Sequence, residues 1–96
     1  MLLYLDDVRP APEGWTLART AEEAISLIRG GSVVMISFDH DLGTELTGYS
    51  VSKVIEEGAF RGTIAPMTWG VHSANSVGRA DIVRAMNSAE RFWYPS

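Results

Sequence analysis

The sequence predicts an α/β domain in which helices pack on a mostly parallel sheet of four or five strands, and three observations carry the prediction. Short apolar runs alternate along the chain with stretches of helical periodicity, the pattern of successive strand–helix units. Residues 2–5 and 33–38 are continuously apolar or nearly so, as strands buried on both faces of a parallel sheet are. Polar clusters close three of the runs, and ligands of such sheets collect beyond the carboxyl ends of the strands.

The elements follow in order. Residues 2–5 read as the first strand, stopped by Asp6 and Asp7. Residues 8–15 hold Pro10, Pro12 and Gly14 and read as a loop, and residues 16–19 as a short second strand. So short a connection leaves open whether that strand joins the sheet parallel, antiparallel or at all. Thr20 and Glu23 have capping-box spacing, and Ala21, Ala24, Ile25 and Ile28 recur at helical intervals until Gly30 and Gly31. The run 33–38 is the strongest strand, rich in β-branched and aromatic residues, and ends at Asp39. After a polar loop over 43–48, Thr47 caps a helix with Val51, Val54 and Ile55 on its apolar face and Gly58 near its end. Residues 67–71 form a further strand. A last helix spans 77–89, capped by Asn75 or Ser76, with Val83 and Met86 toward the core. The tail 91–95 reads as a short edge strand. With no linker, repeat or low-complexity tract, residues 1–96 are expected to form one domain.

Composition excludes several classes. There is no cysteine, so disulfide frameworks and thiolate chemistry are out, in keeping with a cytoplasmic setting. The amino-terminal segment lacks a basic region and its apolar run is too short for a secretion signal or a membrane span. Eight basic and twelve acidic side chains give a formal charge of −4, which argues against binding duplex nucleic acid. Asp6–Asp7 and Asp39–Asp41 carry four acids, and the other eight balance the eight bases, so the excess has an address.

Carboxylates crowded at neighbouring strand ends repel unless a cation joins them, and hard oxygen ligands point to a divalent ion, Mg²⁺ or Mn²⁺. Asp6, Asp7, Asp39 and Asp41 are its candidate ligands, and two nearby histidines keep a transition metal in view. His40 and His72, the only histidines, are candidates for proton transfer together with Asp39. His72 and Ser73 would diverge on an extended chain, so they do not form a nucleophilic pair. Arg9, Ser73 and Asn75 are candidate phosphate contacts, the last two beside a helix start. Each has a plainer alternative: Arg9 pairing with Asp7, Ser73 and Asn75 capping the helix. Trp15 fits either a stacked base or a lid on the core. Phe92, Trp93 and Tyr94 fit core completion or a contact between copies of the chain.

The acid pair after the first strand, Asp39 after the third and Ser73 after the fourth resemble the receiver domains of two-component response regulators. There the acid pair holds Mg²⁺ beside a phosphoacceptor Asp, the position of Asp39. Two departures stand out: the only lysine, Lys53, lies within a predicted helix, and residues 8–15 are too few for a first crossover helix. A closer resemblance is to the cyclic-phosphate processing receiver domains, carried by residues 5–10 (LDDVRP), 12–15 (PEGW), 20–24 (TAEEA), 37–43 (SFDHDLG), 47–49 (TGY) and 71–75 (VHSAN). It implies a truncated receiver-like, flavodoxin-like three-layer sandwich and a role in processing cyclic phosphates on nucleotides or RNA ends. The leading expectation is a metal-assisted phosphoesterase acting on such a small ligand. A module that sequesters a nucleotide or a protein without turnover is the alternative, and a signalling receiver phosphorylated on Asp39 the third.

Overall fold

The computed structural model describes residues 1–96 and orders the elements as β1 (Leu2–Leu5), β2 (Thr16–Ala18), α1 (Ala21–Arg29), β3 (Met35–Phe38), α2 (Gly48–Arg61), β4 (Thr68–Val71) and α3 (Ser76–Trp93). All four strands are parallel, in the order β2-β1-β3-β4. The second strand is therefore a parallel neighbour of β1, reached through a loop that contains no helix. This is the receiver-like parallel sheet expected from the sequence, with four strands.

Local signals explain most of the boundaries. Thr20 caps α1 by accepting from the Glu23 N–H at 3.1 Å. At the start of α2, the Ser50 hydroxyl accepts from the Thr47 N–H at 2.9 Å. β3 begins at Met35 rather than at residue 33, opposite Leu2 where β1 begins. The tail is not a strand. α3 continues through Trp93, whose indole N–H donates to the Ile64 carbonyl at 2.9 Å and ties the last turn to the connection between α2 and β4. The residues of α3 fully buried in the core are Ile82, Met86 and Ala89, with Ala85 buried beside them, while Val83 is only half-buried. No helix is long and apolar enough to cross a membrane.

The sheet is buried on one face only. Along β1, Leu3 and Leu5 are buried while Leu2 and Tyr4 are half-buried, and β3 repeats this with Ile36 and Phe38 against Met35 and Ser37. Leu3, Leu5, Ile36 and Phe38 share one apolar core with Ala24 and Ile28 of α1, Val51 and Ile55 of α2, and Ile82 and Met86 of α3. Right-handed crossovers from β2 to β3 and from β3 to β4 carry their helices over the same face. The only connection that would place a helix on the other face runs from β1 to β2, and it has none. With no helix in that first connection, residues 1–96 form two layers rather than the expected three-layer sandwich. The face carrying Leu2, Tyr4, Met35 and Ser37 is left without a helix, so the apolar run of β1 is buried on one side rather than both.

Candidate active site on the last rung of the sheet

The ladder hydrogen bonds run one residue past each strand. Asp6 N–H donates to the Ala18 carbonyl at 3.1 Å, Asp39 N–H to Leu5 at 2.9 Å, and His72 N–H to Phe38 at 2.9 Å. Leu5 pairs with Ala18 and Phe38, and Phe38 with Val71, so the next rung across the sheet reads Arg19, Asp6, Asp39, His72. Alternate residues of a strand share a face. These side chains therefore project on the same side as Tyr4 and Ser37, the side without helices. In-register neighbours in a parallel sheet stand about 5 Å apart, which brings Asp6, Asp39 and His72 together with ligand atoms all within 4.8 Å of one another.

Asp6 is the hub. It is fully buried, and its Oδ1 accepts from the N–H groups of Val8 at 2.9 Å and Arg9 at 2.8 Å. Its Oδ2 receives Arg9 Nη1 at 3.1 Å and lies 3.0 Å from His72 Nε2. Burial pushes its carboxyl pKa up, but the backbone bonds from Arg9 and Val8 and the side-chain bonds from His72 and Arg9 outweigh that and hold it below the ordinary value. Arg19 braces the loop from β2, donating to the Arg9 carbonyl at 2.8 Å. Asp39 is nearly buried and accepts from the His40 N–H at 2.8 Å. On the other side of His72, Nδ1 lies 2.7 Å from the Ser37 hydroxyl, and its ring stacks on Tyr4.

The other expected site residues form a second group. His40 Nδ1 lies 2.9 Å from Asp41 Oδ1, and the Asn75 side-chain amide donates to both Asp41 oxygens at 3.3 Å. Those bonds, with His40's contribution first, hold the Asp41 carboxyl below its ordinary range. Asn75 also caps α3 by accepting from the Gly78 N–H at 2.9 Å, and the Ser73 hydroxyl accepts from the Asn75 N–H at 3.1 Å. Both serve as caps in this geometry. Two glycines let the loops close up here. A Cβ on Gly48 would fall 1.9 Å from the Asp39 carbonyl oxygen, and one on Gly78 would fall 2.2 Å from His40 Cγ. Asp7 is half-buried beside Gly43 and belongs to neither group.

The structure thus brings together Asp6, Asp39, His72 and Arg9, and keeps Asp7, His40 and Asp41 outside the close acid–histidine group. Arg9 pairs with Asp6 rather than Asp7. Tyr4, Arg19 and Ser37 were not singled out from the sequence. Their signal is positional: Tyr4 and Ser37 stand two residues before Asp6 and Asp39, and Arg19 follows β2 opposite Asp6. It becomes readable only once the register is known. Lys53 is paired with Glu56 on the surface of α2, so the positive charge beside the acids comes from arginine. Of the aromatic tail, Phe92 packs edge-on against exposed Phe60, 5.2 Å between centroids, and Tyr94 is exposed.

Two carboxylates and one imidazole within reach of one another could hold a metal ion. Arg9 and His72 both meet Asp6 Oδ2, which a cation would have to share with or take from them. A parallel α/β sheet with acids and a histidine on its carboxyl-end rung defines a receiver-like domain with a candidate metal centre. The chain belongs to the family of cyclic-phosphate processing receiver domains, whose model matches residues 1–88. No curated protein and no solved structure shows significant similarity to it.

Proposed function

We propose that the domain is a metal-assisted phosphoesterase that opens a cyclic phosphate on a nucleotide or RNA end. The observation that carries this reading is the shared rung of Asp6, Asp39 and His72, in a chain whose family is named for processing cyclic phosphates. Asp6, Asp39 and His72 would hold the cation, which when bound polarises a phosphoryl oxygen and lowers the pKa of a bound water. Arg9 stands half-exposed beside Asp6 and meets the phosphate anion by charge. His40 moves the proton: Asp41 holds its Nδ1, leaving Nε2 to serve the departing oxygen, the base–orienter arrangement of acid–base sites. Water adds to phosphorus, one ring ester bond breaks, and the departing sugar oxygen takes a proton, giving a phosphomonoester and a free hydroxyl. Ser73 and Asn75 support the phosphate by placing the start of α3 rather than by their own polar atoms.

The test is ³¹P NMR of the purified domain with Mn²⁺ or Mg²⁺ and a panel of 2′,3′- and 3′,5′-cyclic nucleotides and RNA ending in a 2′,3′-cyclic phosphate. One member should convert to monoester, and Asp39→Asn should abolish the conversion. Tight binding with every ligand recovered intact would replace this reading with the sequestering module.

A further inference from the structure

His72 reaches two strands away from its own. It leaves β4, passes over Ser37 on β3, and stacks on Tyr4 of β1, ring centroids 4.3 Å apart and planes 4° from parallel. Such a path needs a small residue at position 37, since a bulky side chain there would stand where the ring lies. It also gains from a hydroxyl. Ser37 Oγ is 2.7 Å from Nδ1, while Nε2 faces Asp6 Oδ2 at 3.0 Å.

We propose that Ser37 is a positioning residue for His72: its hydroxyl fixes which ring nitrogen carries the proton, and hence what His72 presents to Asp6 and Asp39. A neutral imidazole has one N–H and one bare nitrogen, an ionised carboxylate only accepts, and a hydroxyl both donates and accepts. With Nε2 against Asp6, the proton sits on Nε2 and the Ser37 O–H donates to Nδ1. The second half of the inference rests on the metal reading above. A cation at Nε2 would need that nitrogen's lone pair bare, so the single ring proton would stand on Nδ1 and the Ser37 oxygen would accept it. A hydroxyl serves both states by turning its O–H, whereas a carboxylate or carbonyl behind a ligating histidine can only accept.

Long-range ¹H–¹⁵N correlation spectra at pH 8 test this. The His72 ring is assigned by its persistence in His40→Gln, and Zn²⁺ serves as the diamagnetic probe ion. The wild-type ring should carry its proton on Nε2 without the ion and on Nδ1 with it. Ser37→Ala should mix the two ring forms without the ion and weaken Zn²⁺ binding by about 10- to 100-fold. Ser37→Thr, which keeps the hydroxyl, should restore both, separating a positioning role from lost packing. Unchanged ring nitrogen shifts in Ser37→Ala overturn the inference. If no divalent ion moves the wild-type spectrum, the metal reading fails, and the ion-free comparison of wild type with Ser37→Ala still decides the role of Ser37.

Discussion

Tyr4 and His72 lie face to face although their strands are not neighbours, and the Tyr4 ring is flanked edge-on by Trp15 at 6.1 Å. The stack holds the imidazole parallel to the Tyr4 ring, with its two nitrogens at Ser37 and Asp6. Tyr4→Leu keeps an apolar side chain but removes the ring. It should cost about 1 kcal/mol beyond the area lost, read from urea unfolding, and should broaden the His72 ring signals.

Cation binding should be visible as stability. Mn²⁺ at a hundredfold excess over its dissociation constant should add about 2.7 kcal/mol, and Mg²⁺ should bind more weakly because one of the three donors is an imidazole. Without any ion, Asp39→Asn should stabilise the fold by ~1 kcal/mol, since it removes a like charge beside Asp6 and keeps an acceptor for the His40 N–H. The same variant should lose the Mn²⁺ increment. Thermal shift with and without chelator reads both.

Acid should unfold the domain through Asp6. Its folded pKa is held below the ordinary Asp value, so the stability it contributes is fully present above the unfolded value of about 3.9. That contribution is lost as pH falls through the folded pKa. Urea midpoints followed downward from pH 6 should begin to drop near pH 4. Asp6→Asn should be weaker by about 2 kcal/mol at pH 7, with a shallower acid slope.

Alanine is usually the better helix residue by about 1 kcal/mol, yet Gly78→Ala should destabilise, because the new Cβ would stand 2.2 Å from His40 Cγ. A loss of about 1–3 kcal/mol is expected. The pair Gly78→Ala with His40→Ala should recover most of it in a double-mutant cycle. Gly78→Ala also displaces His40 without touching Asp6, Asp39 or His72. A loss of turnover with Mn²⁺ affinity intact would place the proton transfer at His40.

Trp93→Phe keeps the aromatic body and loses the bond to the Ile64 carbonyl. It should cost ~1 kcal/mol and speed hydrogen exchange in the last turn of α3. Equal exchange in both proteins would show that the indole bond does not anchor that turn.

Much of this was legible along the chain. Strand and helix identities followed from local periodicity and caps: Thr20 before α1, the strong run ending at Asp39, and Asn75 before α3. The strand ends marked where Asp6, Asp39 and His72 would gather, because a parallel sheet aligns its carboxyl ends. The tail misled for a local reason. Phe92, Trp93 and Tyr94 have strand-like composition, and only the distant Ile64 carbonyl shows why the helix continues through them.

By itself, then, the sequence determined the element types ahead of the tail and the address of the excess negative charge, because these depend on neighbours within a few residues. Tertiary structure alone decided the rest. Register put Asp6, Asp39 and His72 on one rung and one face, and brought Ser37 and Tyr4 into contact with the imidazole. The turn after β3 sent His40 and Asp41 instead to Asn75 at the start of α3. A side chain's face depends on its parity within a strand and its partner on the alignment between strands, and neither is set until the strands pair.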